Sequence, residues 1–287
     1  MSQAGHPPDR LPPAWRRRAL PVAGALVAVT VLQRFAVPGT GGIVGVGFLL
    51  GFGMTACALG TGTLRVDPDR LVLYAVAIAG LLVTMLVKWG PFSHTSFLML
   101  ATLYLPFVAV LAVTEEEYRR ILGMFQDIMA VLALAGLLQF AVQFLVGPAW
   151  MFPFDLVLPD PLLIANFNLR IPLGDDLPYL KSTGLFFLEP SHFSQFLALA
   201  VVIELIHFRR FARLGLLGAA YLTSFSGTGL VLLLVIGLPL VLRSRQYWVL
   251  AAVAVGLVLT PWLRDLPFVS LFLARAEEFD TPMSSGS

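Results

Sequence analysis

Long apolar stretches separated by short polar ones alternate along the whole chain. Most of them approach the roughly 20 residues that a helix needs to cross the hydrocarbon core of a bilayer. We therefore predict an all-α protein, a polytopic transmembrane helical bundle with about nine membrane segments. The predicted segments are 19–37, 41–60, 71–87, 96–113, 120–146, 185–207, 214–225, 229–242 and 248–263.

The apolar stretch 214–242 has a basic residue on each side, Arg213 and Arg243. Lys and Arg are enriched on the cytoplasmic side of membrane proteins, so both flanks are expected on that side. A single crossing would place one flank outside. We therefore predict a short helix hairpin over 214–242 that turns at the sequence SFSGTG. The alternative is one long tilted helix.

Composition agrees with a membrane protein. Hydrophobic residues make up 58% of the 287 residues and charged residues only 13%, which is too little polar surface to cover a water-soluble globule. The single cysteine, Cys57, excludes an intramolecular disulfide. The histidines have no metal-ligand spacing and no nucleotide-binding motif is present, so we expect no metal, no cofactor and no nucleic-acid partner.

The distribution of basic residues predicts a cytoplasmic N-terminus. In that orientation 13 Lys and Arg residues fall in the inside segments and 6 elsewhere. Residues 1–18 are then a cytoplasmic tail and 19–263 the transmembrane domain. The longest loop, 147–183, lies outside, and 264–287 begins another outer loop. Because the inner loops are short, we expect the protein to act at the outer face.

The sequence Glu-Pro-Ser-His at 189–192 stands at the head of an apolar segment on the predicted outer side. Pro190 suits the first position of a helix, because its missing N–H would be unpaired there. Glu189 and Ser191 are typical capping or first-turn residues, and His192 follows them. We predict a helix N-terminus that faces outward, where its partial positive charge attracts anions.

The sequence SFSGTG precedes a second predicted helix start on the same side. We expect this turn and the helix start at Glu189 to open into one outward cavity. Arg170 and Lys181, in the preceding outer loop, add cations that can bind a phosphate. The turn itself supplies small residues and hydroxyl groups, namely Ser224, Ser226, Gly227, Thr228 and Gly229.

Simpler interpretations remain open at each of these positions. Glu189 can merely complement the helix dipole, and His192 can be an interfacial polar residue without a role. The serines and glycines of the turn can serve only close helix packing. Polar residues inside the predicted spans are scattered, which favours a structural role for them; they are Asp127, Gln139, Gln143 and Glu204.

The stretches KSTGLFFLEPSHFSQFLALA and LTSFSGTGLVLLL together resemble a family of bacterial envelope proteins. This family is the O-antigen polymerase and O-antigen ligase superfamily, in particular its exopolysaccharide polymerase branch. Its members combine a basic residue, a glycine, an aromatic residue and Glu-Pro-Ser at a helix start with a Ser-rich turn between membrane segments. Residues 70–287 fit this pattern.

The resemblance implies a metal-independent glycosyltransferase in the bacterial cytoplasmic (inner) membrane. It would transfer glycan from a polyprenyl-diphosphate-linked oligosaccharide to a sugar hydroxyl on a second lipid-linked unit, at the outer face. Its partners would be the lipid bilayer and other polysaccharide assembly proteins. Carried over by position, Glu189 and His192 are the candidate bases. The candidate substrate contacts are Arg170, Lys181, Ser191, Ser224, Ser226, Gly227, Thr228 and Arg275.

The chain departs from the family in two ways. The family usually has Arg where Lys181 stands, and Lys lacks the bidentate geometry of Arg. Members also continue through a long outer loop and further helices beyond the final LARAEEFDTPMSSGS, so the chain resembles a truncated member. Two other functions remain: ligase-type transfer to another acceptor, and a non-enzymatic permease in which SFSGTG is a broken helix at the substrate site.

Overall fold

The computed structural model describes residues 13–87, 94–165, 167–173 and 178–248, together with 255 and 258. Arg275 and most of the predicted segment 248–263 lie outside the described residues. The described chain is mostly helical. It divides into two compact units, one of Met1–Val29 and Val46–Met124 and the other of Thr30–Gly45 and Phe125–Ser287.

The first unit contains helices and one small sheet. The two strands of this sheet are antiparallel, with Leu64 opposite Leu111. A 3₁₀-helical turn over Leu105–Val108 precedes the second strand. The elements in chain order are α1 (Pro13–Val31), α2 (Val46–Gly60), β1 (Leu64–Val66), α3 (Pro68–Val87), α4 (His94–Tyr104) and β2 (Ala109–Leu111).

The predicted membrane segment 96–113 is not one continuous α-helix. The helix α4 ends at Tyr104, and Pro106 lies in the 3₁₀ turn that follows. Proline has no N–H to donate to the preceding turn, which favours the end of an α-helix. The next three residues form β2 instead and pair with β1. The all-α prediction therefore holds only as a mostly helical fold.

The second unit contains the long helix α5 (which begins in the first unit) and the helices that follow it. Two π-helical turns extend this set, at Glu204–Phe208 after α7 and at Leu233–Gly237 between α9 and α10. Short 3₁₀ turns occur at Pro148–Met151 and Asp160–Leu162. The helices are α5 (Glu115–Val146), α6 (Pro153–Val157), α7 (Pro190–Ile203), α8 (Phe211–Thr223), α9 (Gly227–Leu232) and α10 (Leu238–Arg243).

Within the described residues, three helices are long and apolar enough to cross a membrane: Pro68–Val87, Glu115–Val146 and Pro190–Phe208. In the helix Pro68–Val87, no residue of the apolar stretch is buried inside the protein. The surface of this helix therefore suits contact with lipid. This supports a membrane protein with transmembrane helices. The number of about nine segments and the cytoplasmic N-terminus stay predictions. Shorter apolar helices span Val46–Gly60, Phe97–Val108, Phe211–Thr223 and Gly227–Arg243.

The start of α5 is set by a reciprocal capping pair. The backbone N–H of Thr114 donates to Oε2 of Glu117 at 2.9 Å, and the N–H of Glu117 donates to Oγ1 of Thr114 at 3.3 Å. Such a pair satisfies two N–H groups that have no partner inside the helix. The helix therefore begins at Glu115, before the predicted start at 120.

A buried aromatic ring fixes α7 against α5 in the second unit. Phe193 of α7 is fully buried. A Cβ at Gly136 of α5 would lie 2.6 Å from its ring, and one at Gly184 would lie 2.5 Å from it. Gly184 also has a positive φ of 65°. The two glycines thus make room for the ring, and larger residues at either position would displace α7.

Gln139 of α5 holds the chain segment that leads into α7. Its Oε1 accepts from the backbone N–H of Thr183 at 3.0 Å and of Leu185 at 3.1 Å, and from the hydroxyl of Ser182 at 3.0 Å. Its Nε2 donates to the carbonyl of Met151 at 3.1 Å. The side chain is buried, so these bonds satisfy groups that water does not reach. The predicted structural role of Gln139 is confirmed.

Two further polar residues of α5 also have structural partners. Gln143 accepts from the N–H of Leu180 at 2.8 Å and donates to the carbonyl of the same residue at 3.2 Å. Asp127 forms an ion pair with Arg213 at 2.7 Å. These contacts agree with the structural role that was predicted for Gln143 and Asp127.

Glu204 lies at the other end of α7 from Glu189, in the π-helical turn, and is fully buried. Arg210 donates to it from Nε and Nη2, each at 2.8 Å, and from its backbone N–H at 3.0 Å. The hydrogen bond with Glu204 raises the pKa of the Arg210 guanidinium above its ordinary value. Glu204 is thus neutralised by a dedicated cation, which confirms its predicted structural role.

Candidate functional site

The helix α7 begins at Pro190, as predicted. Glu189 precedes it with an extended backbone, at φ −144° and ψ 155°. Proline at this position loses no hydrogen bond, because the first N–H groups of a helix have no partner within it. The carboxylate of Glu189 therefore lies at the positive end of an apolar helix.

The Glu189 carboxylate is held by neutral donors. Its Oε2 accepts from the hydroxyl of Ser191 at 3.0 Å, and its Oε1 lies 3.4 Å from the backbone N–H of Asn168. It makes no side-chain capping bond to its own helix. Within the part of the chain that the structure describes, it has no ion-pair partner. Glu189 is thus a half-buried anion that no cation of the described chain neutralises.

The sequence SFSGTG forms a turn that separates two helices. The helix α8 ends at Thr223 and α9 begins at Gly227. Between them, Phe225 has the left-handed φ of 44°, which an α-helix does not contain. The predicted turn is therefore confirmed, and the alternative of one long helix is wrong. Ser224 is buried in this turn and donates to the carbonyl of Tyr221 at 2.6 Å.

Hydroxyl groups join the start of α7 to the start of α9. The Thr228 hydroxyl lies 3.3 Å from the carbonyl of Ser191, 3.1 Å from the hydroxyl of Ser194 and 2.8 Å from that of Ser226. The N–H of Gly229 donates to the Ser194 hydroxyl at 3.2 Å. We call these five residues the hydroxyl junction. The acidic helix start and the serine-glycine turn are therefore in contact, while the outward cavity that they were expected to share stays a prediction.

The hydroxyl junction depends on a glycine. A Cβ at Gly229 would lie 2.6 Å from the carbonyl oxygen of Ser194 and 2.7 Å from Cε2 of Tyr221. Any larger residue would push α9 away from α7. Close helix packing, one of the simpler interpretations, thus accounts for this glycine, while the hydroxyls of Ser226 and Thr228 lie at the exposed side of the same contact.

Arg170 and Lys181, the two predicted phosphate-binding residues, differ in how far their side chains are exposed to solvent. Arg170 is 59% exposed and lies 3.4 Å from Asp155. It lies two residues after Asn168, whose backbone N–H is 3.4 Å from Oε1 of Glu189. Lys181 is only 4% exposed, and its backbone N–H donates to the carbonyl of Ile171 at 2.9 Å. Arg170 is therefore the cation that a ligand in solution can reach more easily.

His192 lies in the first turn of α7, beside the hydroxyl junction. Its Nδ1 is buried and has no hydrogen-bond partner among the described residues. The ring centroid lies 6.5 Å from that of Phe167. A histidine nitrogen without a partner can donate to or accept from a ligand, so His192 stays a candidate base.

Sequence reasoning missed Arg34 and Asp155. Arg34 is 4% exposed and forms an ion pair with Asp155 of α6, which also pairs with Arg170. The two partners are 121 residues apart in the sequence, so no local spacing indicates the pair. The available signal was a lone arginine inside the first predicted apolar segment, 19–37, where a buried charge demands a partner.

Chemically, the site combines an acceptor carboxylate and hydroxyl groups at the start of apolar helices, and the exposed Arg170 lies in the chain segment that contacts the carboxylate. Among the described residues, no group of three or more His, Cys, Asp or Glu side chains could hold a metal ion. No protein-family model, no curated protein and no solved structure matches the chain.

Proposed function

We propose that the protein is a bacterial envelope polysaccharide polymerase of the cytoplasmic membrane. It transfers glycan from a polyprenyl-diphosphate donor to a sugar hydroxyl at the outer face. The observation that supports this most is the Glu189 carboxylate, which lies at the start of an apolar helix beside the hydroxyl junction and has no ion-pair partner among the described residues. A carboxylate placed in this way can accept a proton from a sugar hydroxyl.

In the proposed reaction Glu189 is the general base. It takes the proton of the acceptor hydroxyl while that oxygen forms a bond to the anomeric carbon of the donor sugar. The bond from the anomeric carbon to the diphosphate oxygen breaks, and the diphosphate leaves with the electron pair. The Ser191 hydroxyl, which donates to Oε2 of Glu189, orients the carboxylate. His192 is the second candidate base.

The leaving diphosphate needs positive charge and hydrogen-bond donors. Arg170 is exposed in the segment that contacts Glu189 through Asn168, so it can reach a diphosphate held near the start of α7. Lys181 has this role only through the family resemblance, since its side chain is buried. The remaining proposed substrate contacts are the residues of the turn, Ser224, Ser226, Gly227 and Thr228.

The proposal is tested with protein reconstituted in liposomes that contain a polyprenyl-diphosphate-linked oligosaccharide. We expect polymer from the wild type and a loss of about 100-fold or more in Glu189→Gln, because the amide cannot accept the proton. Glu116→Gln, an exposed glutamate on α5, is the matched control and should retain full activity. Insertion and thermal unfolding should be unchanged in both variants.

Other outcomes assign other functions. Undiminished polymer from Glu189→Gln would contradict the role of the carboxylate. Transfer of a single glycan to another acceptor, without polymer, would indicate a ligase. Uptake of a solute into the liposomes without any glycan transfer would indicate a permease that uses the break between α8 and α9.

A further inference from the structure

Arg34 is fixed in place by backbone hydrogen bonds to a distant segment. Its carbonyl accepts from the N–H of Ile164 at 2.9 Å, and the N–H of Ala36 donates to the carbonyl of Leu162 at 2.8 Å. Phe35 and Leu163 form an antiparallel bridge between these two bonds. The position of the Arg34 side chain is therefore set by the fold and not by a free loop.

The Arg34 guanidinium is buried but only partly satisfied. The side chain is 4% exposed, and its Nη2 donates to Asp155. Its Nη1 is also buried and has no hydrogen-bond partner among the described residues. A buried donor without an acceptor is costly, so an acceptor at Nη1 would be strongly favoured.

A second guanidinium shares the same carboxylate. Arg170 lies 3.4 Å from the other oxygen of Asp155. Both guanidinium groups also lie over the ring of Phe152, at 6.0 Å for Arg34 and 5.6 Å for Arg170. Two positive charges thus share one negative charge, which leaves one positive charge in excess. The cluster is buried at Arg34 and open to solvent at Arg170.

We infer that Arg34, Asp155 and Arg170 form a subsite for an oxyanion, a phosphate or a carboxylate. Nη1 of Arg34 donates to an oxygen of the ligand from the buried side, and Arg170 closes on it from the open side. Asp155 holds the two guanidinium groups in position. Planar guanidinium groups suit such oxyanions because they present paired donors. The inference does not depend on the proposed polymerase activity.

The test measures oxyanion binding by the whole chain in nanodiscs of phosphatidylcholine, which carries no net charge. Pyrophosphate, inorganic phosphate and glucuronate are titrated in turn, with chloride at equal ionic strength as the reference. Thermal unfolding and calorimetry report binding. We expect at least one oxyanion to raise the unfolding midpoint of the wild type in a saturable manner, because a ligand that binds only the folded state stabilises it.

Two variants identify the subsite. Arg34→Lys keeps a cation for Asp155 but removes the second nitrogen, and we expect the affinity for the oxyanion to fall about tenfold or more. Arg170→Gln changes an exposed side chain and should weaken binding without unfolding the protein, even if Arg34→Lys does not fold. Arg213→Gln, which removes a guanidinium from the ion pair with Asp127, is the control and should bind as the wild type does.

The outcomes distinguish a phosphate ligand from a carboxylate ligand and show whether the subsite exists. A response to the phosphates that both variants weaken supports the subsite and assigns it to a phosphate group. A response to glucuronate that both variants weaken supports the subsite and assigns it to a carboxylate. Responses no larger than that of chloride overturn the inference, as does wild-type affinity in Arg170→Gln. Failure here would also remove Arg170 as a diphosphate contact, whereas the role of Glu189 is tested separately by polymer formation in Glu189→Gln.

Discussion

The two ends of α7 each carry a glutamate, and the fold treats them in opposite ways. Glu204 at the C-terminal end is fully buried and accepts three hydrogen bonds from Arg210. Glu189 at the N-terminal end is half-buried and is held by the Ser191 hydroxyl and the Asn168 N–H. One carboxylate is neutralised by a dedicated cation, and the other is held by neutral groups.

This difference separates a structural carboxylate from one that is available for chemistry. The contacts with Arg210 use both oxygens of the buried Glu204 and three of its roughly four acceptor sites, which leaves little capacity for a ligand. The helix N-terminus stabilises Glu189 more weakly, by its dipole and by two neutral donors. Substitutions at the two ends should therefore differ in whether they reduce stability or activity.

Removal of the cation at the C-terminal end should have the strongest effect on stability. Arg210→Met leaves Glu204 buried without its partner, and we expect the free energy of unfolding to fall by about 3 kcal/mol. Unfolding in mixed detergent micelles, followed by circular dichroism, measures the change.

The neighbouring arginine provides the control for this variant. Arg209→Met removes an exposed arginine from the same basic segment and should change the stability little. Equal losses in Arg209→Met and Arg210→Met would mean that the basic segment as a whole matters, and not the buried pair. The double variant Glu204→Met and Arg210→Met should recover most of the stability, because no charge is then left buried.

At the N-terminal end, the packing of the hydroxyl junction should matter next. Gly229→Ala places a Cβ 2.6 Å from the carbonyl oxygen of Ser194, and we expect a loss of about 2 kcal/mol in the free energy of unfolding. The same micelle titration measures it. Gly218→Ala on α8, where nothing lies within 4 Å of the new Cβ, should be neutral or stabilising. A neutral Gly229→Ala would show that α7 and α9 are not in close contact.

The acidic residue at the N-terminal end should contribute little to stability. Glu189→Gln keeps an oxygen that accepts from Ser191, so we expect the free energy of unfolding to change by less than about 1 kcal/mol. Thermal unfolding of the reconstituted variant measures this. A loss as large as that in Arg210→Met would make Glu189 structural and remove the main support for the proposed base.

An exposed ion pair should matter least. Arg213→Gln breaks the pair with Asp127, whose carboxylate is mostly exposed, and we expect a change within about 0.5 kcal/mol in the free energy of unfolding. The change should shrink further in high salt, which screens exposed charges. A loss comparable with that of Arg210→Met would show that burial is not what distinguishes the two pairs.

Features with a local cause could be predicted from the sequence. The start of α7 follows from Pro190, and the break at SFSGTG follows from a cluster of glycines and serines. The same reasoning could have placed the start of α5, because Thr114 and Glu117 form a recognisable capping pair. It failed over 96–113, where hydropathy suggested a span but Pro106 ends the helix.

Features with a distant cause could not be predicted. Hydropathy and the placement of basic residues depend only on residues that are near one another in the sequence. Together with the local motifs, they were sufficient to predict a helical membrane protein with an acidic helix start and a hydroxyl-rich turn. Folding alone brings Thr228 to the Ser191 carbonyl and Arg34 to Asp155, 121 residues away in the second case. Such contacts depend on which helix faces pack together, and glycines such as Gly136 and Gly229 set that packing through the shape of their neighbours.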